Sequence, residues 1–374
     1  MAEALNYPLD FQTLFSGDDS LRKDRPLRIA VLDTVASKTG ALSVLRDYYD
    51  RVCELKDGNK WFFITGVRGI LEEKEDSSDI RVILKEDVKR SRFKRLLFDH
   101  FTGKKYLESF DPDVIISMQN TLPRGAEAIA KTVIYLHQPL GFQKIKKFSF
   151  FNKWERSLAV YQYMIAGEID RSLKRADKII VQTKWMKDAV CEKDGISPDR
   201  IDIMAPAMAA DFELCKPNSS DGKGVELCKP EPGLFIYPAG SMLYKNHQCI
   251  VDALKILYDR GVRDLKVIFT EKKEDLPWVF VPNECEDMIE WRGMMKREEL
   301  LKLYKRSVLL FPSYIETFGL PLSEARALGI PVIAADTPFA REILSGYEKA
   351  EFFDAFDPER LSHLILSSLP PKKQ

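Results

Sequence analysis

Thirteen short apolar runs punctuate the chain, and most are separated by longer stretches whose apolar residues recur at helical spacing. Such alternation marks strands joined by helical crossovers into parallel sheets. Seven runs lie in the first half, at Leu27–Asp33, Trp61–Thr65, Ile80–Leu84, Val114–Ser117, Thr132–Leu136, Lys178–Val181 and Ile201–Met204. The stretch that follows breaks the rhythm. It sets Pro206, Pro217, Pro230 and Pro232 among Ser219, Ser220, Gly222 and Gly224, a composition that favours loop over packed element. Six further runs come after it, at Leu234–Pro238, Lys266–Thr270, Ile289–Trp291, Val308–Phe311, Pro331–Ala334 and Glu351–Phe353. The expectation is an α/β protein with two doubly wound domains facing a cleft. The boundaries expected are an N-terminal extension over 1–26, a first domain over 27–205, an interdomain linker over 206–232 and a second domain over 233–374. The pentapeptide ELCKP occurs twice in the linker region, at 213–217 and 226–230, and is too short to be a structural repeat.

A chain of 374 residues has room for two cores of ordinary size. Basic and acidic residues balance at 57 each, so the net field gives no reason to expect a nucleic-acid partner. The first residues lack the basic start and apolar core of a leader, and no apolar run approaches the length that crosses a bilayer. A cytoplasmic protein is expected. Its six cysteines form no CxxC pair and read as free thiols.

The segment Val308–Glu342 carries the chemistry. A buried strand ends at Phe311 and Pro312, a loop presents Glu316, and Gly319 lets the backbone turn tightly before Pro321 opens a helix. The amides of Thr317 to Leu322 then face outward at the positive end of the helix dipole, which suits a diphosphate lying against Phe318, Gly319 and Leu320. Glu324, about one turn further on, is placed to accept hydrogen bonds from vicinal hydroxyls such as those of a ribose. Glu316 is free to reach a sugar. Two glutamates alone would be ordinary solvated residues beside a helix cap; the strand, glycine and proline around them fit one site.

This segment resembles the E-x7-E region of family 4 glycosyltransferases with the GT-B fold, in which two Rossmann-like domains face each other. Glu316 and Glu324 match the two glutamates, and FGLPLSEARALGIPVIAAD matches the surrounding pattern. A second matching piece is YPAGSMLYKNHQCIVDALKIL, Tyr237–Leu257, in which Lys245 precedes a helix. The resemblance implies a retaining transferase whose nucleotide-sugar donor is held mainly by the second domain, with Lys245 neutralising the leaving diphosphate. Similar enzymes often carry arginine directly after the glycine that matches Gly240; here Ser241 stands there, so Lys245 works alone or with Arg292. The turn at Gly293 and Met294 matches one that lies beside the nucleotide base. In the first domain, Gly40 matches a glycine of a loop that approaches donor phosphate and acceptor, and His137, at the carboxyl end of a strand, matches a position near the transferred sugar. A front-side mechanism and a double displacement through a carboxylate nucleophile both stay open. Asp111-Pro112-Asp113 looks like a metal-binding DxD but sits where a helix runs into a strand, and reads as a turn. No metal or other cofactor is expected.

Lys144, Lys146, Lys147 and Lys153 interleave with Phe142, Phe148, Phe150, Phe151 and Trp154, and Lys85–Lys105 adds further basic charge. The mixture over 85–105 and 142–154 suits an anionic membrane surface and hence a peripheral protein on the inner face of the cell membrane; it equally suits helices with aromatics inside and lysines in water. The function expected is transfer of a hexose to a glycan or lipid-linked saccharide in polysaccharide (O-antigen or capsule type) or glycolipid biosynthesis. The alternatives are a sugar-nucleotide 2-epimerase of the same fold and a non-catalytic glycosyltransferase-like binding subunit.

Overall fold

The computed structural model describes residues 11–15, 21, 25–36, 39–71, 79–206 and 230–370. Both ELCKP pentapeptides lie almost wholly outside the described residues, as does most of the expected linker. The chain divides into two units: residues 1–148 with 158–207, and residues 149–157 with 208–374. Ser149–Ser157, which falls inside the first domain on sequence grounds, thus sorts with the second unit. There Trp154 packs edge-on against Trp278 with ring centroids 5.7 Å apart.

The first unit is built on seven strands, β1 (Arg28–Asp33), β2 (Lys60–Thr65), β3 (Ile80–Leu84), β4 (Val114–Ser117), β5 (Lys131–Tyr135), β6 (Lys178–Val181) and β7 (Ile201–Ile203). They lie in the order β3-β2-β1-β4-β5-β6-β7, and every neighbouring pair is parallel. Each run is within one residue of its sequence-derived bounds. Near-continuous runs of Ile, Val and Phe are what strands need when helices cover both faces of a sheet. The helix Thr39–Leu55 shows how this covering works, burying Leu45, Tyr48, Tyr49 and Val52 at helical spacing against Trp61 and Phe63 of β2. From the N-terminal extension, Phe11, Leu14, Phe15 and Leu21 enter the same core, and Arg25 makes a forked hydrogen bond to Asp113 at 2.9 and 3.1 Å.

The second unit repeats the plan with β8 (Leu234–Tyr237), β9 (Lys266–Phe269), β10 (Ile289–Trp291), β11 (Val308–Phe311), β12 (Val332–Ala335) and β13 (Ala350–Phe353), in the order β10-β9-β8-β11-β12-β13 and again all parallel. The helix His247–Asp259 follows β8 and buries Ile250, Leu254 and Leu257, while Leu320–Leu328 follows β11. Two later helices open on side-chain caps: Thr337 accepts from the Ala340 amide at 3.3 Å and Asp357 from the Arg360 amide at 2.8 Å. In each sheet the first strand of the unit lies beside its fourth, where the winding reverses, and loops leaving such a reversal at the carboxyl ends are the usual ligand-binding place of open α/β sheets. Among the described residues no helix is long and apolar enough to cross a membrane.

Candidate functional site

The reversal in the second unit brings together the loops that follow β8 and β11. Tyr314 N–H donates to Tyr244 O at 3.2 Å, and Asn246 Nδ2 donates to Pro312 O at 3.3 Å and Ala355 O at 2.7 Å. Asn246 does this from a left-handed backbone (φ 62°), a region asparagine tolerates better than other residues with a Cβ. Tyr237, at the end of β8, donates its hydroxyl to Lys245 O. Lys245 is thereby aimed at the β11 loop, where its Nζ pairs with Oε1 of Glu316. Ser313 Oγ donates to the same oxygen at 2.8 Å. The side chains of Lys245 and Glu316 are only 19% and 16% exposed, so the pair sits where Coulomb attraction is weakly screened. Beneath it His247 is enclosed by Tyr237 and Phe269, with neither ring nitrogen hydrogen-bonded among the described residues; burial, then the nearby Lys245, lowers its pKa to about 3.

Beyond Glu316 the chain turns through Thr317 and the buried Phe318 to Gly319, whose φ of +86° starts the helix Leu320–Leu328. A side chain here would have to adopt this left-handed backbone, which is what favours glycine, and its Cβ would also lie 3.3 Å from Leu322 Cδ1. Leu320 is the first helical residue and Pro321 the second, one place later than expected from sequence. The row of free amides is also shorter than expected, because Leu322 N–H is spent on Gly319 O at 2.9 Å. Among the described residues the amides of Phe318, Gly319 and Leu320 make no hydrogen bond. They are the unspent donors at the start of this helix.

Glu324 lies on the inner side of that helix and is 5% exposed. Burial raises its pKa, opposed by Arg297, whose guanidinium donates to Glu324 Oε1 at 3.0 Å. Arg297 has no counterpart among the sequence-derived candidates. A signal was available: it is the first residue of the helix Arg297–Tyr304, where the helix dipole disfavours a cation unless something else holds it.

Ser241 and Gly293 meet at Glu271, just beyond β9, while Arg292 N–H donates to Phe269 O at 2.9 Å. The Glu271 carboxylate accepts from the Ser241 amide, and its carbonyl accepts from Gly293 N–H at 3.3 Å. The side chain of Arg292 pairs with Glu290 of β10, two strands away from β8, and the structure does not bring it to the Lys245–Glu316 pair. Met294 is almost fully exposed.

The remaining candidates belong to the first unit. Gly40 is the second residue of the helix Thr39–Leu55. His137 follows β5, and its backbone N–H donates to Asn120 Oδ1 at 2.8 Å. Because that amide can only donate, Oδ1 is fixed as the acceptor and Asn120 Nδ2 faces His137 Nε2 at 3.4 Å. Nε2 then accepts and Nδ1 carries the ring proton. Nδ1 has no partner among the described residues, and burial lowers the pKa to about 4, so the imidazole is neutral.

Two residues absent from the sequence-derived set stand beside β1 and β4. Asp33 Oδ1 accepts from the amides of Val35 and Ala36, at 3.2 and 2.9 Å, and Oδ2 has no hydrogen bond among the described residues; burial pushes its pKa up to about 6. Gln119 Oε1 accepts from Thr34 Oγ1 and N–H, at 2.8 and 3.3 Å, and Nε2 has no partner among the described residues. Gly66 lets the next loop come close, since a Cβ there would lie 1.9 Å from Thr34 O. The DxD-like Asp113 lies at the opposite, amino end of the sheet, where it accepts from Arg25 and from the Arg28 amide at 2.9 Å.

Two parallel sheets of this order, one in each unit, define a GT-B type α/β fold. Solved structures share it: sucrose-phosphate synthase from Thermosynechococcus elongatus superposes with a TM-score of 0.64 at 16% identity, covering 92% of this chain and 89% of that one. The Anabaena protein HepE in complex with UDP-glucose gives 0.60 at 14% identity, covering 91% and 89%. Residues 226–372 match the family model described as Glycosyl transferases group 1, and residues 61–210 match Glycosyltransferase Family 4. Together they support a GT-B glycosyltransferase of the family 4 type. Among curated proteins, D-inositol 3-phosphate glycosyltransferase of Corynebacterium glutamicum is 31% identical over 182 residues, 43% of this chain and 41% of that protein. O-antigen chain mannosyltransferase RfbU of Salmonella typhimurium is 23% identical over 175 residues, 46% of each. The chain thus spans less than half the length of the curated relatives it matches.

Proposed function

We propose that the chain is a retaining hexosyltransferase that moves a sugar from a nucleotide donor to a hydroxyl of a glycan or lipid-linked saccharide. The observation that carries this reading is the meeting, at the β8/β11 reversal, of the Lys245–Glu316 pair with the free amides of Phe318, Gly319 and Leu320. One end of that arrangement suits a diphosphate and the other a developing positive charge. The donor diphosphate lies against the three amides, Lys245 meets the charge that builds on the leaving oxygen, and Glu316 stabilises the oxocarbenium character at C1. The acceptor oxygen bonds to C1, the C1–O bond to phosphate breaks with its electron pair leaving on the diphosphate, and the acceptor proton passes to the leaving phosphate oxygen. Glu324 holds the ribose hydroxyls, and the loop of Gly293 and Met294 takes the base. No step calls for a metal ion. His137 Nδ1–H, and Gly40 at the start of the helix Thr39–Leu55, serve the sugar and acceptor.

Support comes from the HepE neighbour of the same fold, solved with UDP-glucose. The O-antigen chain mannosyltransferase RfbU, among the relatives, favours polysaccharide or glycolipid assembly as the setting. A lipid-linked acceptor places the chain in the cytoplasm against the inner face of the membrane. The test is to incubate the protein with a panel of UDP- and GDP-hexoses and saccharide acceptors and to read the anomeric proton of the product by NMR. The reading expects an α-linked product from an α-linked donor. An inverted linkage, or conversion of the donor sugar without any acceptor, as by an epimerase, would overturn it.

A further inference from the structure

After β3 the first unit runs through the short helices Glu86–Lys89, Arg92–Leu97 and Gly103–Glu108, with a π-helical turn at Phe98–Thr102 between the last two. Val88, Phe98 and Leu107 turn inward and are buried, which is sufficient to hold the segment on the sheet. The segment nevertheless carries a second apolar face. Phe93 is 73% exposed, Leu96 48%, Leu97 41% and Phe101 77%, at the three- and four-residue spacings that put them on one side of a helix. A neighbouring helical stretch lies alongside and also exposes an apolar side chain. His100 Nε2 lies 3.4 Å from Glu168 Oε2, and Met164, one turn before Glu168, is 64% exposed. Contiguous apolar surface of this kind is uncommon on a chain that meets only water.

Its charge selects the occupant. Between Lys85 and Lys105 there are eight Lys or Arg against three Asp or Glu. The three acids are already answered: Glu86 by Arg90 at 2.9 Å, Asp87 by Lys85 at 3.1 Å and Asp99 by Arg95 at 3.6 Å. Lys94, Lys104 and Lys105 are exposed and have no ion pair among the described residues. A second copy of the chain fits poorly, because a two-fold contact would bring these lysines against themselves. We propose that Phe93, Leu96, Leu97 and Phe101, flanked by Lys94, Lys104 and Lys105, dock the first unit on an anionic bilayer, with the four apolar side chains entering its interfacial layer. The inference deepens the proposed function, on which it rests only for the lipid-linked nature of the acceptor. The second basic-aromatic stretch contributes less than its composition suggests. Phe142 and Phe148 are buried, Lys144 is paired with Glu192, and Trp154 packs on Trp278.

The test is co-sedimentation of the full chain with vesicles of equal parts phosphatidylglycerol and phosphatidylcholine, with pure phosphatidylcholine vesicles and a poly(U) oligonucleotide as comparisons. Expected are pelleting with the anionic vesicles alone, loss of it at high salt, and a fall of about tenfold or more in vesicle affinity for Phe93→Ser/Phe101→Ser and for Lys94→Glu/Lys104→Glu. All four positions are exposed, so both variants keep the wild-type melting temperature and donor binding. Wild type that ignores anionic vesicles, variants that pellet like wild type, or tighter binding to poly(U) would each overturn the proposal. Vesicle binding without any sugar transfer would leave this surface standing and sink the transferase reading. Transfer to a soluble acceptor without vesicle binding would do the reverse.

Discussion

Lys245 Nζ and Ser313 Oγ address the same oxygen of Glu316, Oε1, the serine at 2.8 Å, and Oε2 has no hydrogen bond among the described residues. The carboxylate is therefore held by one oxygen and offered by the other. Orientation and charge at the candidate reacting centre depend on two loops at once, one after β8 and one after β11.

That dependence predicts strong coupling between the two loops. Lys245→Met should lower transfer by about 100-fold or more, the range seen when one preorganised charge-stabilising group is removed. Ser313→Ala should cost less, about tenfold, through looser placement of Glu316. In steady-state assays the Lys245→Met/Ser313→Ala double variant should be little worse than Lys245→Met, since both act on one carboxylate. Fully additive losses would show that the two contacts are independent.

Glu324 must be ionised to accept two hydroxyls, and burial works against that while Arg297 works for it. Arg297→Ala should raise the Glu324 pKa further, so donor affinity falls away at a higher pH than in wild type as pH is lowered. Near neutrality the donor Kd should rise by about tenfold. Arg297→Lys should recover part of it. Calorimetric titration of the donor across pH reads both effects; a pH profile identical to wild type would remove Arg297 from the account.

Asp33 has a folded pKa of about 6 against an ordinary 3.8, so its ionised form is disfavoured in the native state. Its burden is absent below about pH 4 and grows as pH rises through 6, reaching at most about 3 kcal/mol. Asp33→Asn keeps an oxygen for the Val35 and Ala36 amides. It should melt higher than wild type at pH 7 to 8, with the gap closing towards pH 4. A gap that does not change with pH would contradict the burial argument.

His247 runs with the opposite sign. Its pKa is lowered from the ordinary 6.5 to about 3, so native stability is full above 6.5 and declines as pH falls towards 3. His247→Leu should flatten that decline, and melting temperatures of the two proteins, compared at each pH between 7 and 4, would show it.

Removing metal should change nothing. The leaving charge is assigned to Lys245 and the helix-start amides, so EDTA should leave the transfer rate unaltered. A rate that collapses and returns with Mg²⁺ would reassign that charge.

The strands were legible to within one residue because buried parallel strands are unbroken apolar runs, and a run such as Val308–Phe311, ended by Pro312, has the length of a strand rather than of an ordinary helix. The loops presenting Lys245 and Glu316 could be placed too, since each follows a strand and lies in a segment that matches the pattern of family 4 glycosyltransferases. Contacts through space could not. Arg297 reaches Glu324 across 27 positions of sequence, and Ser313 becomes a partner of Glu316 only once the loop closes. Orientation was equally hidden. Phe98 and Phe101 are three residues apart in one basic segment, yet one is buried and the other faces out, because a π-helical turn shifts the spacing between them. Composition made 142–154 look as interfacial as 85–105, until burial of Phe142 and Phe148 separated them.

The most direct test of the account is the rate of nucleoside diphosphate release from the preferred nucleotide sugar, with acceptor present, for wild type and Glu316→Ala, alongside the donor Kd of each. The account predicts a rate at least about 100-fold lower in the variant, with donor affinity changed by no more than several-fold. A variant that releases the diphosphate as fast as wild type would contradict it.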